Sequence, residues 1–145
     1  MSPCIACDID GTLADDTHRK HFLRLAKPDW SRYYGALEAD TPYSDVLTSL
    51  RLWSASLPIA LVTGRPESYR GPTIDWLSTH EVPWLVLLMR ADRDPRANVN
   101  LKLHHLDTLQ CMGYRALVTL DDFAPVIAAY HEAGVPAIRI NHSVN

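Results

Sequence analysis

Short apolar segments alternate with longer amphipathic segments along most of the chain. Five apolar segments have the length of buried strands and are predicted at residues 3–8, 58–63, 84–89, 116–121 and 136–140. Four longer segments carry the helical repeat and are predicted at residues 44–56, 67–80, 98–112 and 124–133. Strands that alternate with helical segments in this way are typical of a parallel sheet covered by helices.

The segment at about 14–42 breaks this alternation, because it is polar and rich in aromatic residues. It is too short to form a large cap domain, so we expect a minimal insert beside an open site. The whole pattern predicts the α/β class, with one Rossmann-like three-layer domain over residues 1–145. Its parallel sheet would have five strands, and helices would cover both faces.

Length and composition fit a folded domain with one hydrophobic core. The chain has 145 residues, of which 47% are hydrophobic, and a formal net charge of −3. This charge argues against an extended footprint on duplex DNA, while a local arginine pocket for one or a few phosphates remains open. No apolar stretch reaches the roughly 20 residues that a transmembrane helix needs. No cationic leader precedes an apolar region either, so we expect a cytoplasmic protein without a membrane span.

The three cysteines are expected to pack rather than to carry chemistry. Cys4 and Cys7 form a C-x-x-C pattern, but both lie in the predicted first strand, and no second ligand pair follows at zinc spacing. Cys111 lies late in a predicted helix, where we expect it to pack as well.

Polar side chains follow three of the predicted strands at the point where each strand ends. Asp8 and Asp10 follow the first strand, Thr63 ends the second, and Asp121 with Asp122 ends the fourth. Because the carboxyl ends of parallel strands share one edge of a sheet, we expect these side chains to lie close together. In open α/β sheets that edge is where ligands bind.

The residue types at this edge suit phosphoryl chemistry supported by a metal. One carboxylate of the Asp8 and Asp10 pair can attack phosphorus while the other handles the proton. Packing gives no reason for the adjacent carboxylates of Asp121 and Asp122, whereas Mg²⁺ prefers hard oxygen ligands. For Asp122, capping of the following helix is an equally good explanation.

Two further features suit the binding of phosphate. Thr63, Gly64 and Arg65 form a turn that offers a hydroxyl, a close approach of the main chain, and a guanidinium. Lys102 lies early in a predicted helix, where an ammonium would offset the repulsion between carboxylates and phosphate. Each feature alone is a weak signal, because many turns and many surface lysines look the same.

Together these motifs resemble the haloacid dehalogenase superfamily of phosphohydrolases. The chain has D-x-D-G-T at 8–12, a strand that ends in T-G-R at 63–65, Lys102, and a strand that ends in D-D at 121–122. The four motifs occur in the right order along essentially the whole chain. D-x-D-G-T is the most specific of them.

A second resemblance narrows the family. Residues 73–77, 88–90 and 94–96, followed by the lysine, are similar to the phosphatase domain of phage polynucleotide kinase/phosphatase. In that family an arginine eleven residues after the nucleophile belongs to the active site, and Arg19 occupies this position. The chain departs from the pattern at Asn98, where the family has aspartate, and at Phe123, where it has arginine. These departures concern the substrate rather than the phosphoryl chemistry.

The resemblance implies a mechanism with a covalent intermediate. Asp8 would attack the phosphorus of a monoester and form an aspartyl-phosphate, while Asp10 would act first as general acid and then as general base. The implied cofactor is Mg²⁺, held by Asp8, by the main-chain carbonyl of Asp10, by Asp121 and by Asp122. Thr63 and Lys102 complete the implied catalytic set.

The substrate is implied less narrowly than the chemistry. The candidate substrate-binding residues are Arg19, Gly64, Arg65, Arg96 and Asn98. Trp30, Tyr33 and Tyr34 can stack on a base or, equally, pack the insert onto the body. The leading hypothesis is a 3′-phosphatase of polynucleotide ends, and the alternative is a phosphatase of free nucleotides or other small monoesters. A non-catalytic interaction module is a third hypothesis, against which the intact motifs speak; the oligomeric state stays open.

Overall fold

The long strands form one parallel sheet. The computed structural model describes residues 1–142. Its strands are β1 (Ser2–Cys7), β2 (Ala14–Asp15), β3 (Thr41–Pro42), β4 (Ile59–Pro66), β5 (Val86–Arg90), β6 (Tyr114–Asp121) and β7 (Ala137–Arg139). The main sheet has the order β5-β4-β1-β6-β7, and every neighbouring pair in it is parallel. The predicted five-stranded parallel sheet is therefore confirmed.

Helices fill the segments between these strands. They are α1 (Trp30–Gly35), α2 (Ser44–Trp53), α3 (Arg70–Thr79), α4 (Asn98–Cys111) and α5 (Ala124–Glu132). The predicted helix at 67–80 is instead a 3₁₀ turn, Glu67–Tyr69, followed by α3. Pro72 explains the division, since proline is tolerated in the first turn of an α-helix but not in its interior. No helix within residues 1–142 is long and apolar enough to cross a membrane.

The sheet is buried on both faces, as the alternation of side chains along β1 shows. Ile5 and Cys7 belong to a cluster that includes the apolar side chains of α2 and α3. Cys4 and Ala6 belong to a second cluster, which includes side chains of α4 and α5. A strand that contributes to two cores reads as one continuous apolar run in the sequence. The predicted helical layers on both faces are thereby confirmed.

The cysteines divide between the core and the surface. Cys4 and Cys7 are buried without forming a disulfide, as predicted. The expectation for Cys111 was wrong, because this residue is exposed at the end of α4. Leu109, two residues earlier, takes the buried position on that turn of the helix.

The insert between β1 and α2 has more structure than its sequence pattern indicates. β2 and β3 pair antiparallel, and a 3₁₀ helix, Thr17–Leu23, and α1 lie between them. Leu37 anchors the insert, because it is buried in the same cluster as the side chains of α2 and α3. The insert is thereby held beside the carboxyl edge of the sheet.

Neighbouring leucines of α2 test the position of the core. Leu50 is fully buried, whereas Leu52 is 71% exposed. We expect Leu50→Ala to lower the free energy of unfolding by about 2–5 kcal/mol, because it removes buried methyl groups and leaves a cavity. Leu52→Ala should change it by less than about 0.5 kcal/mol. Urea denaturation of the two variants measures the difference, and equal losses would contradict this assignment of the core.

Candidate active site

A buried ammonium joins two carboxylates at the carboxyl edge of the sheet. Lys102, on the second turn of α4, donates from Nζ to Asp8 Oδ1 and to Asp121 Oδ2, each at 2.7 Å. Asp8 directly follows β1, and Asp121 is the last residue of the neighbouring strand β6. All three side chains are almost completely buried. The predicted meeting of these strand ends therefore occurs, and α4 supplies the cation.

This group contains two carboxylates but only one ammonium. Burial and the nearby charge of Asp121 raise the pKa of Asp8 well above its usual range, although Lys102 opposes them. Burial alone would lower the pKa of Lys102, but Asp8 and Asp121 raise it above its ordinary value. The lysine therefore stays charged, and the carboxylate beside it carries a charge that is costly without a further cation.

The turn after β1 brings a third carboxylate into the group. Thr12 places its hydroxyl 3.0 Å from Asp8 Oδ2 and 3.1 Å from Asp122 Oδ1, so that its hydrogen can be donated to either. Gly11 makes the turn possible, since it has a φ of +82° and a Cβ at this position would overlap the Asp122 carboxylate. The glycine of the D-x-D-G-T motif is thus required both by the backbone and by the close approach of Asp122.

Asp10 lies beside this group but is bound to arginines. Arg19 donates from one Nη to Asp10 Oδ1 at 2.6 Å, and Arg65 donates to the same oxygen at 2.7 Å and from Nε to Oδ2 at 3.1 Å. Both guanidinium groups are fully buried. Asp40 supports them from the insert, accepting two hydrogen bonds from Arg19 at 2.6 and 2.8 Å.

These arginines set the protonation state of Asp10. Burial alone would raise the pKa of Asp10, but Arg65 and then Arg19 lower it to about 2. Asp10 is therefore ionised at neutral pH in the substrate-free protein. An ionised carboxylate is ready to accept a proton, so in this state Asp10 is a base.

The turn at the end of β4 provides hydrogen-bond donors. The Thr63 hydroxyl accepts from the main-chain N–H of Arg65 at 3.1 Å, which leaves its own hydrogen free for a bound oxygen. Below it, His105 bonds through Nε2 to the Thr63 carbonyl at 3.0 Å. Gly64 faces Asn98, whose Oδ1 would lie 3.1 Å from a Cβ at that position. The absence of a side chain at Gly64 therefore keeps the main chain of this turn accessible.

A cavity of about 460 Å³ opens above these groups. The predicted site residues that line it are Asp8, Asp10, Thr63, Gly64, Asn98, Asp121 and Asp122. Lys102 does not line the cavity itself, but it holds two residues that do, Asp8 and Asp121. Phe123, one of the departures from the family pattern, is exposed at the cavity wall.

Three of the predicted substrate-binding residues lie elsewhere. Arg19 and Arg65 are buried behind Asp10, so their guanidinium groups hold that carboxylate and do not line the cavity. Arg96 is exposed outside the cavity and forms an ion pair with Asp94 at 2.6 Å. Each of these arginines is thus already neutralised by a carboxylate, which sequence spacing could not reveal.

The carboxylates of Asp8, Asp121 and Asp122 fit a divalent cation. Oxygen atoms from the three lie within 4.8 Å of one another. Lys102 neutralises one of the three charges and leaves two, which matches the charge of Mg²⁺. Mg²⁺ prefers hard oxygen ligands of this kind and retains water for the rest of its shell. The Asp10 carboxylate is turned to the arginines, so only its main-chain carbonyl stays a predicted ligand.

Sequence reasoning gave no role to Thr12, Asp40 or His105. The sequence did contain a signal for Thr12, because this residue is the last position of the D-x-D-G-T motif. His105 follows Lys102 by three residues and therefore lies on the same side of α4. Asp40 had no local signal, because its partners come from distant parts of the chain and only the folded insert brings it to them.

The chain is similar to a known protein family and to solved structures. Residues 2–143 match the family described as the polynucleotide kinase PNKP phosphatase domain. A chain of a Pnkp1/Rnl/Hen1 complex has 24% sequence identity and a TM-score of 0.79, and the match covers 100% of this chain and 47% of that one. This chain therefore spans less than half the length of that relative. A comparison with curated proteins found no match.

Two other solved structures have the same fold at lower identity. A haloacid dehalogenase-like hydrolase from Streptococcus pneumoniae has 16% identity and a TM-score of 0.71, over 97% of this chain and 85% of that one. The class C acid phosphatase from Bacillus anthracis has 14% identity and a TM-score of 0.68, over 92% of this chain and 61% of that one.

The fold and the matched family place the chain in the haloacid dehalogenase superfamily. Within it, the chain belongs to the family of the polynucleotide kinase PNKP phosphatase domain, because the match runs over residues 2–143. The resemblance noted in the sequence is thereby confirmed.

The buried imidazole below Thr63 predicts a pH dependence of stability. Burial lowers the pKa of His105 to about 4, from an ordinary value of 6.5. Between these values the unfolded chain binds more protons than the folded one, so this stabilisation is complete above pH 6.5 and is lost as the pH falls toward 4. This protonation should lower the free energy of unfolding by on the order of 3 kcal/mol between pH 6.5 and 4. His105→Gln keeps an N–H for the Thr63 carbonyl but does not titrate, so this variant should lack that decrease.

Urea denaturation from pH 4.5 to 7.5 measures this effect as a difference in slope. His104→Gln is the matched control, because His104 is the exposed neighbour on the same helix. If His105→Gln and His104→Gln kept the same pH slope as the unaltered protein, His105 would not be the neutral buried group described here.

Proposed function

We propose that the protein is a Mg²⁺-dependent phosphomonoesterase that forms an aspartyl-phosphate on Asp8 and removes 3′-phosphate from polynucleotide ends. The main support is the bridge from Lys102 to Asp8 and Asp121 at the floor of an open cavity. This arrangement presents a carboxylate nucleophile next to a fixed cation. Membership of a phosphatase family supports the same chemistry.

In the first step an oxygen of Asp8 attacks the phosphorus, and the bond from phosphorus to the leaving oxygen breaks. The Thr63 hydroxyl and the main chain at Gly64 donate to the phosphoryl oxygens, and Lys102 offsets their charge. When bound, Mg²⁺ supplies further stabilisation of the negative charge that develops on those oxygens. The carboxylates of Asp8, Asp121 and Asp122 are the groups that would hold it.

Asp10 must carry a proton when the leaving oxygen departs, although it is ionised in the free protein. A phosphate monoester titrates near pH 6, so its monoanion brings a proton into the site. Asp10 accepts that proton and passes it to the leaving oxygen. In the second step the ionised Asp10 removes a proton from water, whose oxygen attacks phosphorus and releases Asp8 and phosphate.

The preference for a polynucleotide end rests on the open cavity and the family. The short insert leaves room above Asp8 for a chain that continues beyond the reacting phosphate. One observation favours free nucleotides as a second candidate. Arg65 and Arg96, two candidate residues for binding the phosphates of a longer strand, are neutralised by Asp10 and Asp94. Hydrolysis rates for a 3′-phosphorylated oligonucleotide and for 3′- and 5′-mononucleotides separate the two candidates.

Replacement of the nucleophile tests the covalent step. Asp8→Asn should lower kcat by about 10³-fold or more, because an amide oxygen is a poor nucleophile and the intermediate cannot form. Asp107 is an exposed aspartate of α4, and the control variant Asp107→Asn should keep the rate of the unaltered protein. Steady-state release of phosphate measures both. Near-normal turnover by Asp8→Asn, with thermal unfolding unchanged, would contradict the covalent mechanism.

Thermal unfolding tests the metal site without an assay of activity. Mg²⁺ at about 100 times its Kd should stabilise the protein by about 2.7 kcal/mol, and thus raise Tm by several degrees relative to a chelated sample. Asp121→Asn should lose most of this rise, because it removes a carboxylate of the group. Asp107→Asn should keep it. A rise of equal size in Asp121→Asn, or none in the unaltered protein, would count against this site.

A further inference from the structure

Arg90, the last residue of β5, lines the catalytic cavity. It donates from Nη1 to the carbonyls of Asp94 and Arg96 at 3.1 and 2.6 Å, and from Nε to the carbonyl of Gly64 at 3.4 Å. Within residues 1–142 it makes no ion pair, and its Nη2 donates no hydrogen bond. That Nη2 lies 3.9 Å from the place of a Cβ on Gly64. The Asp94 carboxylate lies close by but pairs with Arg96, so the Arg90 guanidinium faces the turn proposed to bind phosphate without an ion-pair partner of its own.

Aromatic side chains lie beside this arginine. Trp30 is 54% exposed and stacks on Tyr34, with ring centroids 5.9 Å apart and an angle of 23° between the rings. Tyr34 in turn meets Tyr69 at 5.3 Å. We call the surface formed by Trp30, Tyr34, Tyr69 and Arg90 the aromatic groove. It has the two components that bind single-stranded nucleic acid, which are flat rings for bases and a cation for the backbone.

The aromatic groove continues directly from the catalytic cavity. A second cavity, of about 540 Å³, is lined by all four of its residues. Trp30, Tyr34, Arg90 and Gly64 line both cavities. The Tyr34 hydroxyl also lies 3.4 Å from the Gly64 carbonyl. A strand whose terminal phosphate lies at Asp8 can thus pass Gly64 into this second cavity.

Packing in the hydrophobic core does not account for the exposure of Trp30. Tyr33 is buried and lies under Arg19, with 4.3 Å from the guanidinium carbon to the ring centre, so it has a structural role. Trp30 and Tyr34 contact Tyr33, at centroid distances of 5.9 and 5.0 Å, but belong to neither hydrophobic cluster of the described chain. The exposed part of the Trp30 ring is therefore available for a base to stack on.

We infer that the aromatic groove binds the nucleotide next to the one that carries the terminal phosphate, with its base on Trp30 and Tyr34 and its phosphodiester at Arg90. This inference rests on the proposed phosphatase function and sets the shortest fully bound substrate at two nucleotides. The flat rings can stack on any base, so binding in the groove depends on the number of nucleotides and not on their sequence. It prefers a single strand, because a base within a duplex does not present its face.

A series of 3′-phosphorylated thymidylates of one, two and four nucleotides tests the inference. In the unaltered protein kcat/KM should rise about tenfold from one to two nucleotides, the size expected for one stacked base, and little from two to four. In Trp30→Ala and in Arg90→Gln, the increase in kcat/KM from one to two nucleotides should fall to about threefold or less. Trp30→Tyr should keep most of it, because the smaller ring still stacks.

Matched controls show whether the effect belongs to the groove. Leu52→Ala and Arg115→Gln change an exposed apolar residue and an exposed arginine away from the carboxyl edge, and both should keep the full step. Arg90→Gln should also weaken the salt dependence of kcat/KM for the dinucleotide, because one phosphate contact loses its charge. Thermal unfolding checks that each variant is folded.

The possible results distinguish failure of the aromatic groove from failure of the proposed phosphatase function. A step that persists in both Trp30→Ala and Arg90→Gln would overturn the groove and leave the phosphatase intact. Equal kcat/KM for one and two nucleotides in the unaltered protein would also overturn it, and would favour free nucleotides as substrates. Absence of hydrolysis of any phosphomonoester would overturn the proposed function itself.

Discussion

The site depends on the bond from the Lys102 ammonium to Asp8 and Asp121. Two carboxylates at the ends of adjacent strands repel each other when buried, and the parallel sheet leaves them no room to separate. The lysine from α4 offsets part of this repulsion and fixes the position of Asp8. The charge that remains, with Asp122 nearby, is the basis of the proposed divalent-cation site and of the proposed reaction with phosphate.

A second set of charges holds Asp10 apart from this group. Arg19 and Arg65 surround its carboxylate, and Asp40 neutralises the excess positive charge behind them. The two acids of D-x-D therefore differ sharply: the pKa of Asp8 is raised and that of Asp10 is lowered to about 2. A pair of carboxylates whose environments separate their pKa values is suited to two different roles in one reaction.

The five-stranded parallel sheet and the convergence of Asp8, Thr63 and Asp121 could be predicted from the sequence, because the carboxyl ends of parallel strands share one edge of the sheet. The environment of Arg65 could not be predicted, since its guanidinium meets Asp10 and Asp40 only after the insert has folded. The insert was predicted, but its internal structure was not, because its two-residue strands and its 3₁₀ helix carry no hydrophobic period. Arg90 could not be distinguished from the other arginines until the ion pairs of its neighbours were known.

The most direct test of the account is a crystal structure of the protein with Mg²⁺ and beryllium trifluoride, a mimic of the phosphoryl group on aspartate. The account predicts the trifluoride bonded to an Asp8 oxygen, contacts to Thr63 and Lys102, and one Mg²⁺ bound by Asp8 and Asp121. A trifluoride bound away from Asp8, or a cation bound without either of these carboxylates, would contradict it.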